Sequence, residues 1–145
     1  MGNQDKGTSG TGTTVFFDGS CPLCRSEIGL YRDQDAEGRL RLVDVSAPDA
    51  SLPQGLDRDT AMARFHVAAV DGQVLSGAAA FIEVWRSLPG WRRLAGFAGL
   101  PGVEPVLEVT YRGFLKVRPL LVRLFVGVQR LRAAMPFHRV RAEDR

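Results

Sequence analysis

Both cysteines of this 145-residue chain fall in one stretch, Phe16-Phe17-Asp18-Gly19-Ser20-Cys21-Pro22-Leu23-Cys24, where an apolar run gives way to a helical pattern. Thr14-Val15-Phe16-Phe17 is β-branched and aromatic, as a buried strand requires, and Asp18-Gly19 ends it. Pro22 suits the first turn of a helix, where its missing N–H has no partner to lose. Cysteines spaced Cys-x-x-Cys across that turn stand close enough to close a small disulfide ring. The stretch therefore dictates a strand, a turn and a helix in succession.

The chemistry that such a pair serves is thiol–disulfide exchange, whose attacking species is a thiolate. A free cysteine, with a pKa of about 8.5, is mostly protonated at neutral pH. At the start of the helix, Cys21 meets unsatisfied N–H groups and the positive end of the helix dipole, which favour the anion. Cys21 is expected to be the more exposed sulfur and the one that attacks. Cys24, one turn into the helix, then resolves the mixed disulfide. Asp18 is the third candidate. It can cap the helix, accept the proton of Cys24 during resolution, or simply shape the Asp-Gly turn. An ionised Asp18 beside a thiolate would raise the cysteine pKa. Arg25 is available either to the thiolate or to solvent.

The remaining pattern fits one domain. Residues 1–13 read as a polar, glycine-rich tail, 14–132 as the domain with its helical extension, and 133–145 as a basic tail. The first helix is expected to run through Ile28, Leu30 and Tyr31 to a stop near Glu37-Gly38, and Leu40 to Val45 is a second strand, parallel to the first. After a Pro- and Asp-rich loop from Ser46 to Thr60, with room for one short helical turn, Met62 to Val70 reads as a third strand. Asp71-Gly72 reads as a two-residue hairpin turn, and Gln73 to Leu75 as a fourth strand. Gly77 opens a helix through Leu88, Trp91 to Gly99 is a short helix, and Val103 to Arg132 is helical but expected to be kinked or split at Pro119. The order β-α-β, then β-β-α, is that of an α/β, thioredoxin-like three-layer fold around a central mixed sheet, here with extra C-terminal helices.

Asp18-x-x-Cys21-x-x-Cys24, with Phe16-Phe17 before it and an amphipathic helix after it, resembles the DCC family of predicted thiol–disulfide oxidoreductases. His66-Val67, Asp71-Gly72, Gly77 with Ala80-Phe81, Leu88-Pro89-Gly90, and Tyr111 followed by Arg118 sit in the order that family shows. The resemblance spans roughly Thr14 to Leu124. It implies a thioredoxin-like fold and protein-disulfide oxidoreductase activity, with Cys21 and Cys24 as the redox pair. Thioredoxins proper carry a cis-proline just before a central strand, where it helps to bind substrate backbone. The segment Asp57-Arg58-Asp59-Thr60-Ala61-Met62 has no proline, which speaks against that mode of peptide binding.

Other functions are weighed against this one. A structural zinc site needs four ligands, and the chain offers at most Cys21, Cys24, His66 and His138, with no second paired motif. Two inert buried cysteines are a further alternative, opposed by Pro22 and the helix start. The net charge of +3 is concentrated near the C-terminus, where Arg112, Lys116, Arg118, Arg123, Arg130 and Arg132 precede more arginines. Leu120, Leu121, Leu124, Val128 and Leu131 form an apolar stripe among them. A non-catalytic adaptor that binds a partner or a membrane surface through these basic helices is the rival reading. Nucleic-acid binding is disfavoured, because the basic residues lack the interleaved aromatic platform that single-strand binders use. With no apolar leader and no spanning segment, the expected location is the cytosol, where a lone cysteine pair is more often catalytic or metal-binding than structural. The pair would carry the electrons itself, with no bound cofactor, and its partner would be a disulfide-containing protein or a small thiol.

Overall fold

The computed structural model describes residues 12–134. Most of the two expected tails lies outside them. Within them, Thr13 opens the first strand and the last helix runs on to Ala134. The elements are β1 (Thr13–Phe17), α1 (Pro22–Gln34), β2 (Leu40–Asp44), α2 (Arg58–Ala63), β3 (His66–Ala68), β4 (Val74–Ser76), α3 (Ala78–Ser87), a 3-10 turn (Pro89–Trp91), α4 (Arg92–Ala98) and α5 (Val103–Ala134). The sheet order is β2-β1-β3-β4: β1 pairs with β2 in parallel, β1 with β3 and β3 with β4 antiparallel.

Side chains alternate across the sheet, so neighbouring residues of β1 build different cores. Val15, with Val67 of β3, faces Ile28 and Tyr31 of α1, Ala80 and Val84 of α3, and Leu88 just past the end of α3. Phe16 faces the other way, onto Val45, Leu56 and Ala61 of α2. Helices therefore cover both faces of a mixed sheet, and the fold is thioredoxin-like α/β, as the element order implied. It leaves the C-terminal end of β1 and the start of α1 at the edge of the core, with α5 packed beside them.

Three elements differ from expectation. Met62 lies in α2, and the third strand is only His66–Ala68. Asp57 accepts the Thr60 N–H at 2.9 Å and so caps a helix across Arg58–Ala63, while β1 offers β3 partners only at Thr14, Val15 and Phe16. The apolar character of Ala61 and Met62 comes from packing α2 on the sheet, which a short apolar run cannot distinguish from a strand. The hairpin turn has three residues, Val70 to Gly72: Ala69 N–H bonds the Gln73 carbonyl at 2.9 Å, and Gly72 takes φ +86°, as the last residue of such a loop must. The strand that follows is accordingly displaced by one residue, to Val74–Ser76. Finally, Pro119 does not split α5, which continues through it for 32 residues, about 48 Å. Proline removes one intrahelical hydrogen bond, but its φ is helical, and the ladder resumes on either side.

Candidate active site

The turn between β1 and α1 is built by two carboxylates. Asp18 Oδ1 accepts the Ser20 N–H at 2.9 Å and the Ser20 hydroxyl, while the Asp18 carbonyl accepts the Cys21 N–H at 3.2 Å. Asp44, at the end of β2, accepts the Gly19 N–H at 2.8 Å. A Cβ on residue 19 would run into that carboxylate, so the close approach requires glycine. Burial opposes ionisation of Asp44, but hydrogen bonds from Ser46 and Gly19 outweigh it and hold the carboxyl below its usual range.

This turn makes Cys21, rather than Asp18, the N-cap of α1. The Cys21 sulfur folds back over the first helical turn and accepts the Cys24 N–H at 3.4 Å. Folded back in this way, Cys21 is only 6% exposed, while Cys24 is half-buried, the reverse of the expected order. Both are free thiols. Arg25, the other cation considered for the thiolate, is exposed and acts on Asp44 instead.

The cation at the sulfurs comes from the far end of the chain. Arg118 of α5 donates from Nη2 to Asp18 Oδ2 at 2.9 Å and to the Cys24 sulfur at 3.4 Å. Burial alone would raise the Cys21 pKa. The Cys24 thiol and N–H and the Arg118 guanidinium close by reverse this, and the net shift is downward. Cys24 moves the other way: burial first, then its role as donor to Cys21, push its thiol up to about 12, and Arg118 offsets only part of this. One thiol is thus favoured as the anion and its neighbour as the proton donor to it.

Arg118 reaches the site because α5 is fixed to the domain two and three turns earlier. Glu108 accepts from Arg64 at 2.6 Å, from Arg112 at 3.0 Å and from the Ala78 N–H at 3.0 Å, capping α3 beside Gly77, whose φ is +61°. Its burial opposes ionisation, but those three bonds prevail and hold its pKa at about 2. Tyr111 packs edge-on against Phe81, and its hydroxyl accepts the Phe65 N–H at 2.8 Å. Tyr111→Phe leaves that N–H without a partner and is expected to lower stability by about 1–3 kcal/mol. The measurement is the urea midpoint, which should fall with no change in slope.

Beneath Cys24 lies a cavity of about 50 Å³, lined by Phe17, Cys24, Glu27, Phe65, Tyr111 and Arg118 among others. It is of a size for water rather than for a substrate. Glu27, one turn beyond Cys24 on α1, accepts a hydrogen bond from the Tyr31 hydroxyl at 2.5 Å, and burial raises its pKa. The stretch before β3 is saturated. Arg64 N–H bonds Thr60, its carbonyl meets His66 Nδ1 at 2.8 Å, and the Phe65 N–H and carbonyl are taken by Tyr111 and Gly77.

Cys21, Cys24 and Asp18 are thus brought together. His66 is buried and turned to its own segment, and no group of three or more metal-ligating side chains gathers among the described residues. His138 lies outside them. Arg118, Tyr111 and Glu27 were not read as site residues. The available signal was spacing: Tyr111 and Arg118 are two helical turns apart and share a face, while Arg112, Arg123 and Arg130 point elsewhere.

Fold and site together define a thioredoxin-like α/β protein that presents a reduced Cys-x-x-Cys pair at a helix N-terminus. The sequence model of the DCC1-like thiol-disulfide oxidoreductase family matches residues 15–124, and the chain belongs to that family. An uncharacterized chloroplastic protein of Arabidopsis thaliana is 35% identical over 81 residues, which cover 53% of this chain and 38% of the relative. The chain thus matches well under half of that relative's length. No solved structure matches the chain.

Proposed function

We propose that this protein catalyses thiol–disulfide exchange, with Cys21 as nucleophile, Cys24 as resolving thiol and Arg118 as the cation that stabilises sulfur charge. The carrying observation is Arg118 Nη2, held by Asp18 and 3.4 Å from the Cys24 sulfur, over a pair whose thiols are shifted in opposite directions. The Cys21 thiolate attacks a substrate disulfide, forms a mixed disulfide and releases one substrate thiolate. Cys24 then loses its proton and attacks the Cys21 sulfur. That step closes the Cys21–Cys24 disulfide and expels the second substrate thiolate, so two electrons pass from the pair to the substrate. The reverse sequence oxidises a dithiol.

The first step prepares the second. Once Cys21 is in a mixed disulfide it carries no charge and no longer takes the Cys24 hydrogen bond, which removes two of the causes that raise the Cys24 pKa. Arg118 then acts on Cys24 alone. Asp18 is a positioning residue in this scheme: its two oxygens are engaged by Ser20 and Arg118. Glu27, whose pKa burial raises and which lines the same cavity as Cys24, is the candidate to take and return the proton.

The test is a titration of the pair against mixtures of reduced and oxidised glutathione, with thiols trapped at each point. A reversible two-electron transition, absent in Cys21→Ser, is expected, and its midpoint separates a reductant from an oxidant. Thiols that never close into a disulfide in the folded protein would overturn the proposal.

A further inference from the structure

The face of α5 turned away from the domain has no partner among the described residues. Val109, Val117, Leu120, Leu124, Val128 and Leu131 recur at the spacing of one helix face and are 44–70% exposed. The anchors Tyr111 and Arg118 lie on the opposite side. Such a run of exposed large apolar side chains marks an interaction surface.

Charge identifies what fits it. Lys116, Arg123 and Arg130 follow one edge of the stripe at seven-residue steps, and Arg132 stands at the other. From Val109 to Ala134 there is no aspartate or glutamate. Lys116, Arg123 and Arg130 form no ion pair among the described residues. A second copy of the chain would bring two cationic edges together. The stripe is the convex surface of a long helix, with no concave site to fix a protein partner's register. No helix among the described residues is long and apolar enough to cross a membrane, so a lipid contact would lie in the interface plane.

We propose that α5 rests on an anionic membrane surface, with its apolar stripe in the headgroup–acyl boundary and Lys116, Arg123 and Arg130 against acidic headgroups. The cysteine pair, reached by Arg118 from the other side of the helix, then sits about one helix diameter, ~10 Å, from that boundary. The surface is independent of the redox chemistry, so a Cys21→Ser protein binds equally well.

The experiment is co-sedimentation of the full chain, at low ionic strength, with vesicles of phosphatidylcholine alone and of phosphatidylcholine and phosphatidylglycerol in equal parts. Binding is expected to the mixed vesicles only, and to weaken as salt is added. Removing the three charges together (Lys116→Gln, Arg123→Gln, Arg130→Gln) should weaken it roughly a hundredfold, about fivefold for each charge. Leu120→Ser with Leu124→Ser should abolish it at unchanged helicity. Should that variant lose helicity, the charge variant, altered only at exposed positions, carries the test. Cys21 should react with a charged, membrane-impermeant thiol reagent equally fast on and off the vesicles. Equal binding to both vesicle types, binding to neither, or a charge variant that binds like the parent would overturn the proposal. So would a dimer that the leucine substitutions dissociate, without vesicle binding, since a second copy would then cover the face. Protection of Cys21 on vesicles would overturn the orientation.

Discussion

Cys24→Ser should turn the protein from a catalyst into a trap. In the proposed scheme Cys21 still attacks, but nothing displaces the substrate from it, so a mixed disulfide accumulates in stoichiometric amount and turnover falls to the uncatalysed level. Cys21→Ser should neither turn over nor trap, because the remaining thiol is one turn into the helix and burial, the largest cause of its raised pKa, still favours its protonated form. The contrast rests on the cap geometry. Cys21 accepts the Cys24 N–H as the cap of the first turn and has the Arg118 charge close by, whereas burial and its place as donor to Cys21 keep Cys24 protonated. Incubation of each variant with oxidised glutathione, followed by mass measurement of the intact protein, reads the result directly. One glutathione on Cys24→Ser and none on Cys21→Ser is expected. The opposite pattern would reverse the two roles, and equal labelling of both would remove the distinction on which the proposal depends.

Much of this site is written locally, and that part is readable. The β-branched and aromatic run before Asp18, the proline at the first turn and the cysteine spacing all act over a few residues, so strand, turn and helix could be read in order. The continuous apolar run of β1 also reads as a buried strand. What was not readable depends on distant placement. Arg118 meets Asp18 across 100 residues of sequence, and in composition it is one of several arginines in a basic segment. Only the fixing of α5 by Glu108 and Tyr111 turns this arginine inward and leaves Arg123 and Arg130 outward. Glu27 looks like an ordinary helix-surface acid until α3 and α5 close over it. Met62 misled for a different reason: an apolar residue packs as well from a capped helix as from a strand, and the decision was made by Asp57 and by the few partners that β1 leaves free.

The second large effect concerns that distant cation. Arg118→Gln removes a positive charge from beside both sulfurs and the hydrogen bond to the Cys24 sulfur, and it leaves the Asp18 carboxylate unpaired beside them. Each change disfavours a thiolate. An opposite charge at this range shifts a pKa by about 1–3 units, so the Cys21 thiolate fraction at neutral pH should drop about tenfold or more. The alkylation rate of Cys21 against pH reads this. In the parent it should rise and level off below the pH at which a free cysteine does, and in Arg118→Gln the whole profile should move upward. The sign carries over to stability. A thiol pKa lowered by folding stabilises the reduced protein fully above the unfolded-state pKa, about 8.5, and that contribution is lost as pH falls through the folded-state value. The reduced form of Arg118→Gln should therefore gain less stability than the parent between neutral and mildly alkaline pH. Adding Asp18→Asn separates charge from packing. If the arginine acts through charge, the double variant recovers part of the lost thiolate, because the orphaned carboxylate is gone. If Arg118 merely fills space, the second substitution changes nothing, and the pH profile of Arg118→Gln should already match that of the parent.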